Sequence, residues 1–314
     1  MRVKSLGHSG LKVSVVGLGC NNFGMRIDQA ATDLVVARAL DLGITLFDTA
    51  DIYGNKGGSE TMLGKALGAR RKDIVLATKF GGPMGEGPLM MGTSRRYIMQ
   101  AVEASLKRLG TDYIDLYQVH FPDAETPIDE TLSALDTLVR DGKVRYIGSS
   151  NFAGWQVVES WYIARDLGTV KFVSAQNHYN LLDRKIEQEV IPAAKAYGAS
   201  VLPYFPLASG MLTGKYKRGA DLPNDGRLTV WGERGKQMLS DANFDMIEKL
   251  SAYAETRGHS LLDLAFGWLA SQPQVASVIA GATKPEQVEM NVAAGAWELN
   301  AEELAEVGKL SFRW

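Results

Sequence analysis

Sulfur chemistry has almost no foothold in this chain. Its one cysteine, Cys20, can form neither an internal disulfide nor a cysteine-based zinc cluster. Histidine is nearly as scarce: the four, His8, His120, His178 and His259, are widely spread, which leaves no cluster for a metal-dependent hydrolase. No apolar run approaches the roughly 18 residues needed to span a bilayer, so no membrane partner is expected. The formal net charge is only -2 and no dense Lys/Arg cluster occurs, so nucleic acid is not an expected partner either. The opening MRVKSLGHSG is charged and lacks the apolar core of a signal peptide, which makes the cytoplasm the expected location.

With 46% hydrophobic and 22% charged residues, the composition is that of an ordinary globular protein rather than a disordered or fibrous one. Short apolar runs recur at VVGLG (15–19), ITLFD (44–48), IVLATK (74–79), IDLYQVH (114–120), VRYIGSS (144–150), FVSAQ (172–176), SVLPY (200–204) and ASVIAG (276–281). Helical spacing lies between them, as in Leu34, Ala37, Arg38 and Ala39, or Ile98, Val102, Leu106 and Leu109, or Leu132, Leu135 and Leu138, or Val190, Ala193 and Ala194. Strand followed by helix, eight times, predicts an α/β fold with a parallel sheet closed into a (β/α)8 TIM barrel, and such barrels commonly reach this length as one domain. Residues 1–314 are therefore read as a single barrel domain, with a doubled helix after the seventh strand broken at Gly258, a C-terminal helix, and a monomer as the default state. VKSLGHSGLKVS reads as a hairpin outside the eight units, suited to plugging the barrel bottom. Residues 205–240 show no clear pattern and are expected to form a lid or cofactor clamp.

Chemistry in such barrels is built at the carboxyl ends of the strands. Here those ends carry Asp48 with nearby Tyr53, Lys79, His120, Ser150 with Asn151, Gln176, Tyr204, and Gly281 with Thr283, a ring of hydrogen-bonding and titratable groups. A tyrosine is ordinarily a phenol at neutral pH; a neighbouring ammonium favours its phenolate, and a carboxylate keeps that ammonium charged and placed. Such a tyrosine can protonate a developing alkoxide, while a neutral histidine donates a second hydrogen bond to the same oxygen. With no obvious thiol or metal nucleophile for attack on the carbonyl, hydride from a bound cofactor is the natural candidate.

FDTADIYG, ATKFG, DLYQVH, GSSNF, AQNHYNLL, YFPLASGMLTGKY and GATKPEQVEMN, in this order, resemble the aldo-keto reductases, NAD(P)H-dependent carbonyl reductases on a (β/α)8 barrel, and the resemblance spans roughly Leu6 to Asn291. The resemblance implies Tyr53 as general acid, tuned by Lys79 and Asp48, with His120 orienting the carbonyl. It also implies a nicotinamide carboxamide against Ser150, Asn151 and Gln176, with Tyr204 stacked on the ring. Leu207, Gly210, Leu212 and Lys215 would lie along the pyrophosphate, and Gly281, Thr283, Lys284, Gln287 and Asn291 would hold the adenosine end. Lys284 and the Thr283 hydroxyl at a helix start suit a 2'-phosphate, which favours NADPH over NADH. Two departures bear on that preference: many relatives carry arginine where Lys284 stands and an acid where Met290 stands.

Other features are expected to be structural or peripheral. Asp51 is read as a loop residue or helix cap, and His8, His178 and His259 as outside the chemistry, with His178 near the rim. Met84, Leu89, Met90 and Met91 either line a substrate wall or cover the rim, and Phe23, Trp155, Trp231 and Trp314 are further candidates for an apolar mouth. Gly17, Gly19 and Gly24 lack the dinucleotide spacing, and GMLTGKY lacks that of a phosphate-binding P-loop. A glycosidase would need a carboxylate pair that is absent from the strand ends. Two rivals to the reductase stay open: a cofactor-binding redox sensor without significant turnover, like the potassium-channel beta subunits, and an aldolase with Lys79 as its Schiff base.

Overall fold

The computed structural model describes residues 1–223 and 227–311, Arg234 by its backbone alone. Trp314 lies outside the described residues. The first two strands, β1 (Val3–Ser5) and β2 (Lys12–Ser14), pair antiparallel as a hairpin. Eight parallel strands follow: β3 (Val16–Gly19), β4 (Leu46–Asp48), β5 (Val75–Phe80), β6 (Ile114–Val119), β7 (Val144–Ser150), β8 (Phe172–His178), β9 (Ser200–Tyr204) and β10 (Val278–Gly281). They run in the order β10-β3-β4-β5-β6-β7-β8-β9, and a parallel bridge between Val201 and Val275 closes the ring. Every strand falls on a run that the sequence marks, displaced by at most two residues at either end.

The apolar runs are continuous because both faces of each strand are covered, by the barrel interior on one side and by helices on the other. Inside, Leu46, Val75, Ala77, Leu116, Leu202, Ala276 and Ile279 pack together with Leu6 and Val13 of the hairpin. The hairpin thus closes the bottom of the barrel. Its turn is anchored by Gly7 N–H donating to Ser200 Oγ (2.8 Å) and His8 N–H to Gly198 O (2.7 Å). Glycine is required at position 7: φ is 58° and a β-carbon would sit 2.2 Å from Val173 O. Lys4 Nζ donates to Ala270 O, Gln272 O and Val275 O at 2.7–3.1 Å, so the hairpin also satisfies the end of helix Leu261–Ser271.

Helices follow the strands outside the barrel, including Gln29–Asp41, Arg95–Leu109, Ile128–Arg140, Gly154–Leu167, Val190–Tyr197 and Pro285–Ala294. Asp28, Ser94 and Ser240 cap their helices through side-chain oxygens, and Asn300 does the same for the C-terminal helix Ala301–Leu310. The expected double helix after β9 is Asp241–Glu255 and Leu261–Ser271, with Gly258 (φ 75°) in the break. The segment from Phe205 to Ser240 has short structure of its own, a 3-10 turn at Ala208–Thr213 and helices Arg227–Val230 and Glu233–Met238. Among the described residues no helix is long and apolar enough to cross a membrane.

Candidate active site

β4 ends at Asp48, and the chain then stays bonded to its neighbour strand, Thr49 N–H to Ala77 O (2.9 Å) and Asp51 N–H to Lys79 O (3.0 Å). Tyr53 follows at once, and Gly54, Asn55, Lys56 and Gly57 all take positive φ before the helix to Leu67 runs regularly. Gly54 is needed there because a β-carbon would meet Ser59 N at 2.4 Å and Phe23 O at 2.5 Å. This left-handed segment directly follows Tyr53, whose approach is set by the bonded stretch from Thr49 to Ile52.

Lys79 on β5 is fully buried, and its Nζ donates to Asp48 Oδ2 at 2.6 Å and to Thr49 O at 3.0 Å. The same ammonium lies 5.2 Å from the Tyr53 ring centroid. His120 follows β6, with its ring 5.6 Å from that of Tyr53, edge to face at 84°, and stacked on Phe121 at 4.3 Å. Its Nδ1 is buried and finds no hydrogen-bond partner among the described residues. Asp48 and Lys79 on strands, His120 just past a third strand and Tyr53 at the start of the following helix are therefore brought together.

Burial decides the electrostatics of this group. His120 falls to about 3, through desolvation first and the Lys79 ammonium second, so the imidazole is neutral at physiological pH. Burial alone pulls Lys79 down, yet the Asp48 carboxylate and Tyr53 outweigh it and the net direction is up. Tyr53 also moves up, since desolvation exceeds the pull of Lys79 toward the phenolate. The expected lowering by the ammonium is real but is the smaller effect, and the site holds a protonated phenol beside a charged lysine.

On the next strands, Asn151 (φ 62°) donates from Nδ2 to His120 O (2.9 Å) and Ser150 Oγ (3.2 Å), while its Oδ1 accepts from Tyr204 OH at 2.7 Å. Gln176 donates from Nε2 to Asp48 Oδ1 at 2.9 Å. The amides of Asn151 and Gln176 and the ring of Tyr204 are thereby held in set orientations at one end of the barrel. Gln118, a buried amide on β6 that sequence reasoning did not single out, donates to the same Asp48 Oδ1 at 3.1 Å. Its signal was a glutamine inside the mostly apolar stretch LYQV (116–119).

After β9, Phe205, Ala208, Ser209 and Gly210 adopt positive φ (52°, 45°, 58° and 100°). Such conformations in non-glycine residues survive where the surroundings over-determine them, as at ligand-binding segments. Leu207 and Gly210 are half-buried and Lys215 is exposed, whereas Leu212 is fully buried in the core, so only its backbone is available to a ligand. Arg227, another residue not anticipated, reaches from the same segment to Asn22 Oδ1 (3.4 Å), and Asn22 Nδ2 in turn donates to Ala282 O (3.2 Å). The segment is thus tied to the loops after β3 and β10. Gly281 leaves room that a β-carbon would take, 3.0 Å from Asn22 Nδ2. Thr283 N–H and Oγ1 bond Gln287 Oε1 at 2.8 and 3.2 Å, exposed Lys284 precedes helix Pro285–Ala294, and Asn291 is buried on that helix while Met290 is exposed. Oriented amides, a half-buried aromatic, strained backbone and an exposed glycine beside a cationic helix start fit a nicotinamide dinucleotide.

Several expectations change. Asp51 is no cap: it is 1% exposed, its carboxylate oxygens find no hydrogen-bond partner among the described residues, and it is pushed up to about 7 by burial and then by Glu60. Phe23 is fully buried and cannot wall a substrate. Trp231 packs edge-on to Phe205 at 6.1 Å, and Trp155 is exposed in the first turn of the helix after β7. In the loop after β5, Met84 and Met90 are half-buried while Leu89 and Met91 are exposed. His178 lies nearly parallel to the Tyr204 ring at 5.5 Å, His8 is in the bottom hairpin, and His259 stacks on Trp297 at 3.9 Å. Among the described residues no group of three or more His, Cys, Asp or Glu converges as a metal site.

Comparison with known proteins agrees with this geometry. The model of the Aldo/keto reductase family matches residues 15–311. The chain is 39% identical to a probable voltage-gated potassium channel subunit beta of Oryza sativa subsp. japonica, over 94% of this chain and 91% of that protein. It is 34% identical to the L-glyceraldehyde 3-phosphate reductase of Escherichia coli K12 (94% and 87% covered). It is 35% identical to the versiconal hemiacetal acetate reductase of Aspergillus parasiticus (97% and 95% covered).

Proposed function

The chain belongs to the aldo/keto reductase family and is an NAD(P)H-dependent reductase, and from that premise we propose that it reduces an aldehyde or ketone with NADPH, Tyr53 delivering the proton. The observation that carries this reading is the fully buried Lys79–Asp48 pair at 2.6 Å beside Tyr53, with a neutral His120 against the same ring. Bound nicotinamide supplies the hydride. Tyr53 O–H and a neutral His120 N–H converge on the carbonyl oxygen; Tyr53 protonates it as charge develops, and the Lys79 ammonium stabilises the phenolate left behind. Asp48 keeps Lys79 charged and placed. Because burial raises Tyr53, the phenol is the form present at neutral pH, ready to give its proton to the carbonyl oxygen and, in the reverse sense, to be restored by alcohol oxidation.

Ser150, Asn151 and Gln176 would hold the carboxamide, with Tyr204 against the ring and Leu207, Gly210, Leu212 and Lys215 along the pyrophosphate. Gly281, Thr283, Lys284, Gln287 and Asn291 would take the adenosine end, and Lys284 gives NADPH its preference over NADH. A carbonyl panel assayed with both cofactors tests this reading: turnover is expected with NADPH ahead of NADH. Lys284→Ala should narrow that preference by roughly tenfold, as loss of one charge-assisted contact implies; an unchanged ratio would remove Lys284 from the 2'-phosphate.

A second reading has one observation in its favour, the likeness to a protein named as a channel beta subunit. Under it the same site binds NADPH as a redox sensor, and tight binding without turnover across the panel would select it. The aldolase reading fares worse, since Lys79 is charged, fully buried and bonded to Asp48 and Thr49 O, whereas a Schiff base needs a neutral, accessible amine.

A further inference from the structure

Gln118 is fully buried in β6, where a leucine would fill space without bringing polar atoms out of water. Its amide spans two residues of the site. Nε2 donates to Asp48 Oδ1 (3.1 Å) and Oε1 accepts from Gln176 Nε2 (3.3 Å), while Gln176 Nε2 also reaches Asp48 Oδ1 (2.9 Å). Asp48, Gln118 and Gln176 come from β4, β6 and β8, alternate strands of the kind that share one layer in a barrel interior. The layer has room made for it: Gln118 pairs in register with Gly148, where a β-carbon would lie 3.2 Å from Gln118 Cγ and 2.4 Å from Ser174 Oγ.

The polarity of these bonds has a consequence. With Gln176 Nε2 committed to Asp48 and Gln118, Gln176 has its carbonyl Oε1 to offer a ligand, the atom that suits a carboxamide N–H. Asp48, in turn, has one oxygen held by Lys79 and the other by two amides. We infer that Gln118 is a positioning residue that couples cofactor capture to proton delivery, presenting the Gln176 carbonyl to the nicotinamide carboxamide and fixing Asp48 beneath Lys79. Without its N–H, Asp48 leans more on Lys79 and draws that ammonium from Tyr53.

The inference rests on the proposed NADPH-dependent reduction, so the wild type is the first measurement. No NADPH binding by the wild type would sink that reading; the inference is judged in a wild type that binds and turns over. Gln118→Met keeps the volume and removes both bonds. Its NADPH dissociation constant, read from protein fluorescence without substrate, should rise about tenfold, the scale of one or two buried hydrogen bonds. The alkaline limb of its kcat profile should move to higher pH. In a Gln176→Met background the same substitution should weaken NADPH by less than about twofold, because the partner through which it acts is gone. Should Gln118→Met fail to fold, Gln118→Asn, too short to reach both partners, takes its place in the same cycle. Wild-type affinity and an unmoved pH profile, or full additivity with Gln176→Met, would overturn the assignment.

Discussion

Tyr53→Phe is expected to bind NADPH with near wild-type affinity and to lose turnover by about a thousandfold, within the range for removal of a placed general acid. Phenylalanine preserves the ring that packs edge-on to His120 at 5.6 Å and lies 5.2 Å from Lys79 Nζ, so the substitution deletes one oxygen from an otherwise unchanged cluster. Neither neighbour can replace the lost proton. His120, lowered to about 3, carries no proton to spare at neutral pH, and the Lys79 ammonium is committed to Asp48 and Thr49 O. The same values shape the wild-type profile: His120 imposes no break at its ordinary pKa, and reduction persists into alkaline pH because Tyr53 is raised. Fluorescence titration and steady-state kinetics separate binding from chemistry, and turnover near wild type in the Phe variant would end the proton-donor role.

Lys79→Met is expected to cost both activity and stability. The methionine fills most of the volume but leaves the Asp48 carboxylate, itself 3% exposed, without its one ion-pair partner among the described residues. Removing one member of a buried pair typically costs about 3–5 kcal/mol, which in a chain of this size lowers the melting temperature by roughly 5–8 °C. Lys79→Met/Asp48→Asn removes both charges and should recover much of that stability while staying inactive. Stability and turnover then part company, which calorimetry beside a kinetic assay shows directly; a double variant as unstable as the single one would refute the ion-pair explanation. The sign over pH follows from the raised Lys79. Its contribution is complete below the unfolded value near 10.5 and is lost only as pH rises through the folded one, so the deficit should be flat across neutral pH.

Much of this site was legible before folding. Parallel barrel strands are buried on both faces and read as apolar runs, so polar side chains at their carboxyl ends stand out, and Asp48, Lys79, His120, Gln176 and Tyr204 all stood out in this way. Gln118 did not, because one glutamine inside a run looks like noise until three alternate strands bring it against Asp48 and Gln176. Of the two readings of Asp51, loop residue or cap, the loop holds and the cap does not, for a related reason: in FDTADIYG the two acids look alike, and only packing shows one paired with Lys79 and the other with its carboxylate buried and unbonded among the described residues.

The amino-acid order by itself determined the alternation of strand and helix, the hairpin under the barrel and the residue types at its mouth, since periodicity and turn chemistry are local. Tertiary structure alone decided which way Tyr53 and His120 shift, which oxygen of Asp48 faces which partner, and that Phe23 belongs to the core. Those outcomes depend on desolvation and on contacts between strands far apart in sequence, quantities that exist only once the ring has closed.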